Sequence, residues 1–250
     1  YGLMEPVDAK QLNLAEEDYL YKRKDSGGLN YENFNESKNP YEIVNGFEIK
    51  AGEMTSDAWA SIAELALLTY SSDEAYNYYI PEMVNIDNAT RLWLFLQIIT
   101  GHDHTAKNIF YVAKYEEEHY KFYFAPWDLD LTWGNVSVGE VNSVYTAFEK
   151  ATVDDRIYWE TGNKIMELNC NNAVEKMQSL YSELRNGVLS DEKIENIITE
   201  LDYEVRCSGA FSRDRDRWPE SVYANDCSEL MMYAKERMKF LDTALYDFSL

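Results

Sequence analysis

Four polar residues between Gly101 and Gly134 have the types and the order of a phosphoryl-transfer site. Asn108 follows Asp103 by five residues, and a second acidic pair, Asp128 and Asp130, comes after two strand-like runs. In such sites an Asp takes the proton of the attacking hydroxyl, an Asn binds a metal, and a later Asp binds the metal again. Hard cations such as Mg²⁺ take oxygen ligands, which Asp and Asn supply. The order therefore predicts a base at the first Asp and metal ligands at the other three positions.

The two later acidic residues are predicted to act as a pair. Asp128 and Asp130 alternate with apolar residues, so we expect both carboxylates on one face of an extended segment. Like charges side by side on a strand repel, and a bound cation would relieve that repulsion. The alternative is a pair of carboxylates facing solvent at a strand end. Asp103 also has an alternative, because a loop Asp commonly accepts a turn hydrogen bond.

Cationic and imidazole side chains surround the first Asp. Lys107 directly precedes Asn108 and is a candidate for contacting a phosphate, with an ordinary surface lysine as the alternative. His102 and His104 flank Asp103, but their spacing on an irregular loop is not that of a zinc site. We expect one of these two histidines to brace the loop by hydrogen bonding.

The charge of the chain excludes several classes of partner. Its 250 residues carry a formal net charge of −22, which would repel nucleic acid and anionic membrane surfaces. The chain has no apolar run long enough to predict a membrane span. A substrate that carries phosphates would need a local positive field, which a divalent metal could supply. Three cysteines are too few for a disulfide framework, although Cys207 and Cys227 could pair and leave Cys170 buried and free.

The elements next to the polar residues are predicted from their periodicity. A helix capped by Asn85 or Asp87 is apolar nearly all round and is expected to be buried, ending at Gly101. Residues 109–114 and 120–125 alternate as the two strands of a β-hairpin. The helix end and the first strand would thus hold the loop that carries Asp103.

The rest of the pattern is mainly helical. A helix is expected to begin at Asp73 and to end before Pro81, because proline interrupts a helix. From about Asp154 to Leu245 the pattern is helical again. A small β portion followed by a helical body places the chain in the α+β class, with helix predominating.

Several segments along nearly the whole chain form a recognisable set. They are YGLMEPVD at residues 1–8, DYLYKRK at 18–24, the D-x4-N pair with IFYV after it, KFYFAPWDLDLTWG at 121–134, DRDRW at 214–218 and KERMKFLDTAL at 235–245. Together they resemble the CotH (spore coat protein H) kinase-like family, atypical relatives of the protein-kinase fold. The resemblance implies a single CotH kinase-like domain over residues 1–250, built as a protein-kinase-like C-terminal lobe whose small β-hairpin carries the active-site loops.

The resemblance also implies an activity and the residues that perform it. It implies transfer of phosphate from ATP to Ser or Thr hydroxyls of a protein substrate, with Mg²⁺ or Mn²⁺ as the metal. Asp103 is then the catalytic residue and Asn108 a metal ligand. Asp128 or Asp130 binds the metal that bridges the ATP phosphates, with a slight preference for the former.

The first segment of the set resembles the hinge of a kinase. It contains Met4, Glu5 and Val7, whose backbone would face the adenine. A kinase fold needs a phosphate-covering loop and a strand lysine before the hinge. The chain starts at this segment and contains no G-x-G-x-x-G, so we expect an N-terminal lobe upstream of residue 1.

The resemblance leaves a second function open. The chain could be a non-catalytic structural or binding module of a secreted, cell-surface or carbohydrate-degrading assembly, with the acidic pair kept as a cation site. Under either function the resemblance implies a location outside the cell, on the cell surface or in the spore coat.

Overall fold

The computed structural model divides the chain into two compact units. Residues 7–23, 46–55, 58–105, 107–138, 141–143, 153–219 and 226–247 are described by the structure. The first unit comprises residues 1–94, 103–129 and 158–176, and the second unit comprises residues 95–102, 130–157 and 177–250.

A four-stranded antiparallel sheet forms the centre of the first unit. Its strands are β1 (Tyr19–Arg23), β2 (Phe47–Ala51), β3 (Ile109–Glu116) and β4 (His119–Pro126), in the order β2-β1-β3-β4. Strands β3 and β4 pair from Ile109 opposite Pro126 to Glu116 opposite His119. The predicted hairpin is therefore confirmed, with two residues of positive φ at its turn.

The two faces of this sheet are both apolar but differ in composition. One face consists largely of buried aromatic rings, from Tyr19, Tyr21, Tyr111, Phe122 and Phe124. The other face has an apolar cluster of Leu20, Phe110 and Val112, against which Val7, Leu12, Leu14 and Trp127 pack. Because side chains alternate along a strand, the same five residues of β1 supply both faces.

Helices of the first unit cover the aromatic face. They are α1 (Ala60–Thr69), α2 (Asp73–Met83), the first part of α3 (Ile86–Ile99) and α4 (Glu160–Glu167). Tyr21 donates a hydrogen bond from its hydroxyl to the carbonyl of Ala58, 2.6 Å away. Trp159 donates from Nε1 to the hydroxyl of Tyr111 at 3.2 Å. These bonds help to satisfy polar atoms that are buried in this layer.

The start of α3 was predicted correctly and the end of α2 was not. The Asn85 side chain accepts a hydrogen bond from the backbone N–H of Asn88 at 2.9 Å, as expected of an N-cap. In contrast, α2 continues past Pro81 to Met83. Proline removes one helical hydrogen bond, but fully buried Ile80 anchors this turn, and its carbonyl accepts from the N–H of Val84 at 2.8 Å.

A buried ion pair connects the sheet to α4. The Nη1 atom of Arg23 lies 2.7 Å from the Oε1 atom of Glu160, and the two side chains are only 5% and 13% exposed. Such a pair is costly to break, because the charge that remains would be buried without compensation. The end of β1 is therefore held in one position relative to α4.

Helices also dominate the second unit, as the pattern predicts. Its elements are the last part of α3, β5 (Val136–Val138), β6 (Val141–Ser143), most of α5 (Ala173–Arg185), α6 (Asp191–Cys207), α7 (Ala210–Arg217) and α8 (Ser228–Ala244). Cys170, Cys207 and Cys227 are free thiols. In the part of the chain that the structure describes, no helix is both long and apolar enough to cross a membrane.

A fully buried arginine organises the second unit. Arg237 donates from Nε and Nη2 to the carbonyl of Gln97 at 2.8 and 2.6 Å, and from Nη1 to the carbonyls of Val153 and Asp155. Burial lowers the pKa of Arg237 to about 10. The three carbonyl groups that accept these hydrogen bonds replace the water that the guanidinium loses on burial.

Replacing Gly162 of α4 by alanine should destabilise the protein. A Cβ at this position would clash with Cε3 of Trp159 and lie 3.1 Å from Cδ1 of Trp93. Alanine is the better helix former by about 1 kcal/mol, but overpacking a core costs about 1–3 kcal/mol. We expect Gly162→Ala to lower the free energy of unfolding in urea. The exposed helical substitution Glu64→Ala should change it by less than about 0.5 kcal/mol, and a stabilised Gly162→Ala variant would contradict this packing.

Candidate functional site

The predicted base and its neighbouring Asn lie on one short loop of the first unit. Asp103 belongs to a 3₁₀ turn, His102–His104, and Asn108 immediately precedes β3. Asn108 has a φ of 60°, a left-handed conformation that Asn tolerates better than most residues. Its backbone N–H donates to the carbonyl of Arg23 at 3.2 Å. The loop is thus attached to the end of β1 whose side chain forms the buried ion pair.

Two side chains hold the Asp103 carboxylate through the same oxygen. Asn108 donates from Nδ2 to Oδ2 of Asp103 at 2.6 Å. The Nζ atom of Lys107 lies 3.0 Å from that same Oδ2 atom. Neither contact involves Oδ1, the second oxygen of the carboxylate. The sequence-predicted pair is therefore brought together, and the Lys107 ammonium binds Asp103.

A histidine joins this loop to the segment that follows β4. His104 is fully buried, and its Nε2 atom lies 2.8 Å from the carbonyl oxygen of Trp127. Because a carbonyl only accepts, Nε2 carries the proton and donates it. The Trp127 N–H in turn donates to the carbonyl of Asn108 at 2.9 Å. The expectation that one histidine braces the loop is confirmed.

The expected geometry of the acidic pair is wrong. Asp128 has a φ of 61°, and Leu129 and Asp130 form a turn, so the segment is not extended and the residues do not alternate on one face. The pairing of β4 ends at Pro126, and Asp can adopt the left-handed conformation that turns the chain. Asp128 lies in the first unit with Asp103, whereas Asp130 lies in the second. Repulsion across a strand therefore gives no argument for a metal.

The described residues could supply only part of the ligands of a metal ion. Among the described residues, no three His, Cys, Asp or Glu side chains are grouped so that they could hold a metal ion. Mg²⁺ commonly uses one or two carboxylates, with water and substrate phosphates as further ligands. Since Asn108 uses its amide nitrogen on Asp103, its amide oxygen is the atom suited to a cation. The roles of Asn108, Asp128 and Asp130 as metal ligands stay predictions, as does the role of Asp103 as the base.

The hinge-like segment falls mostly outside the described residues. Met4 and Glu5 are not described, so the predictions for their backbone stay predictions. Val7 is described, and it packs against the apolar cluster of Leu20, Phe110 and Val112. Its proposed contact with a nucleotide base also stays a prediction.

Lys22, a cation to which the sequence pattern gave no role, lies over two aromatic rings. The Nζ atom of Lys22 lies 5.6 Å from the ring centre of Trp127 and 6.0 Å from that of Phe110. The alternation of YLYKR could have indicated that Lys22 shares a face with Leu20 and not with Arg23. The sequence could not indicate which aromatic rings lie beneath the ammonium group.

Converting Asn108 to Asp should destabilise the loop in a pH-dependent way. The variant would face the Asp103 carboxylate with a second carboxylate where a 2.6 Å hydrogen bond now exists. Two such groups repel only when both are ionised, so protonation of either one relieves the repulsion. We expect the loss in free energy of unfolding to be larger at pH 7 than at pH 4, by about 1–2 kcal/mol.

Asn172→Asp is the matched control for this comparison. Asn172 also has a φ of 60° but is exposed. Its replacement should cost little at either pH. Equal losses at pH 4 and pH 7 for Asn108→Asp would show that Asp103 and residue 108 are not in contact.

Comparison with known proteins adds one finding to this geometry. Residues 1–241 match the family model described as CotH kinase protein. No curated protein matches the chain.

Proposed function

The chain belongs to the CotH kinase family, and on that premise we propose that it transfers the γ-phosphoryl group of ATP to Ser or Thr hydroxyls of a protein substrate. Family membership by itself supports a kinase-like role. The observation that carries the finer proposal is the contact of Asn108 with Asp103 at 2.6 Å. A carboxylate and an amide held together on one loop are the groups that this transfer requires from the protein.

Asp103 is the proposed base. Its Oδ2 atom is held by Lys107 and Asn108, which leaves Oδ1 to accept a hydrogen bond from the acceptor hydroxyl. That hydroxyl oxygen attacks the γ-phosphorus, the bond from phosphorus to the bridging β–γ oxygen breaks, and ADP leaves. Asp103 accepts the hydroxyl proton as the transfer proceeds. Orientation supplies most of the rate enhancement, because the transition state is loose and needs little covalent assistance.

Asn108 and Asp128 are the proposed ligands of Mg²⁺ or Mn²⁺. Such an ion would neutralise charge on the ATP phosphates, which a chain of net charge −22 would otherwise repel. We prefer Asp128 to Asp130 because its chain neighbour Trp127 is hydrogen bonded to Asn108. Lys107 is a further proposed phosphate contact, since an ammonium has three donors and its side chain is 44% exposed.

The adenine is proposed to bind at the hinge-like segment. Met4, Glu5 and Val7 would present their backbone to the base. In support, Val7 packs on the apolar cluster of β1 and β3, and β3 begins directly after Asn108. A base bound there would lie near strand β3, which begins directly after the proposed catalytic loop.

One observation favours a non-catalytic binding module as the second candidate. The Asp103 carboxylate already has a cation and an amide donor within the chain, an arrangement that needs no ligand to be satisfied. A module that serves only for attachment to a secreted or cell-surface assembly would keep this loop in the same form.

The substitution Asp103→Asn distinguishes the two candidates. It keeps the shape of the side chain but removes the base, so we expect phosphoryl transfer by the full-length protein to fall at least about a hundredfold. The measurement is incorporation of ³²P from labelled ATP in Mg²⁺, together with a urea unfolding curve.

Asp202→Asn serves as the control for that substitution. Asp202 also forms an i,i+4 ion pair, with Arg206 at 2.8 Å, and its side chain is 28% exposed compared with 20% for Asp103. The Asp202→Asn variant should transfer phosphate as fast as the unmodified protein. Equal ³²P incorporation by Asp103→Asn and the unmodified protein would contradict the catalytic assignment and favour the binding module.

A further inference from the structure

We propose that Lys22 binds a phosphate group of the nucleotide, an inference that rests on the proposed function. Lys22 lies on β1, directly opposite Phe110 of β3 in the antiparallel register. Its side chain is only partly buried.

The Lys22 ammonium lies over two aromatic rings. Its Nζ atom lies 5.6 Å from the ring centre of Trp127 and 6.0 Å from that of Phe110. These rings meet edge to face, with centres 5.9 Å apart, and they are part of the apolar cluster and its lining. Contact with ring faces stabilises a cation without using its N–H donors in conventional hydrogen bonds. The lysine is thereby held in place and can still donate to an anion.

The charge environment of Lys22 differs from that of its neighbours. Arg23, Lys50 and Lys107 each have a carboxylate partner, respectively Glu160, Glu48 and Asp103. Among the residues that the structure describes, Lys22 forms no ion pair. The chain holds 45 acidic residues and 23 basic ones, so acidic partners are in excess. Glu48 lies opposite Lys22 in the register of β1 and β2 but is paired with Lys50, so the Lys22 charge is available for a ligand.

Hydrogen bonds connect the chain neighbour of Lys22 to the proposed catalytic loop. The next residue, Arg23, accepts the backbone N–H of Asn108 through its carbonyl, and Asn108 accepts from the N–H of Trp127. Trp127 in turn lies under the Lys22 ammonium and directly precedes Asp128. The lysine is thus at the end of the sheet where the proposed metal ligands lie. Phosphates held at those ligands need a counter-charge from the protein, and Lys22 is suited to supply it.

A purely structural role for Lys22 makes a different prediction. If its ammonium only held the Trp127 ring in place, removing it would weaken every ligand of the site alike. If it binds a phosphate, removing it would weaken only ligands that carry phosphate. A comparison of MgATP with adenosine separates the two roles.

The test is calorimetry of the full-length protein with MgATP and, separately, with adenosine. We expect Lys22→Gln to weaken MgATP binding about tenfold to a hundredfold, the effect of losing one charge-assisted hydrogen bond. Adenosine affinity should change by less than about twofold, and Lys22→Arg should keep most of the MgATP affinity because it keeps the charge. Lys176→Gln removes a partly exposed lysine that is paired with Asp87 and should bind MgATP like the unmodified protein.

Each other outcome has a definite meaning. Unchanged MgATP affinity in Lys22→Gln overturns the inference and leaves the proposed function intact. Equal weakening of MgATP and adenosine also overturns it, because Lys22 then acts only through Trp127. Failure of the unmodified protein to bind either ligand overturns the proposed function, and the inference falls with it.

Discussion

The register of the hairpin formed by β3 and β4 is the constraint on which the candidate site depends. Ile109 pairs with Pro126, so the next residues outward, Asn108 and Trp127, meet through a main-chain hydrogen bond. A slip of one residue would turn every side chain of a strand to the opposite face and would separate these two residues. Buried Tyr111 and Phe122 exclude the slip, because their rings would leave the core.

Next to this hairpin the polar side chains of the site form hydrogen bonds and an ion pair with one another or with the main chain. Asp103 is held by Asn108 and Lys107, and His104 donates to the Trp127 carbonyl. Such pairing keeps buried polar groups satisfied and limits the positions that the loop can adopt. A preorganised loop suits phosphoryl transfer, in which positioning and charge neutralisation account for most of the catalysis. The same chain is strongly acidic, so a metal ion and a cation such as Lys22 would have to provide the positive field that phosphates require.

Local patterns predicted most of the elements, and failed where neighbouring contacts outweighed them. The strand alternation from Ile109 onward and the cap at Asn85 were predicted correctly because each depends on a few adjacent residues. Helix α2 passes Pro81 because the burial of Ile80 outweighs one missing hydrogen bond. The acidic segment turns at Asp128 instead of continuing as a strand. Alternation of residue types does not by itself extend a strand beyond Pro126, where the pairing of β4 with β3 ends.

The sequence alone determined which chemical groups are present, their order along the chain and the family to which the chain belongs. Tertiary structure decided which atoms meet. It brought Lys107 and Asn108 to the same oxygen of Asp103, His104 to a carbonyl 23 residues away, and Lys22 to the ring of Trp127. Spacing along a chain constrains only near neighbours, whereas contacts between distant residues depend on strand register and on side-chain packing. The contact of Asp103 with Asn108 could therefore be anticipated from their spacing, while the position of Lys22 over the Trp127 ring depended on the folded sheet.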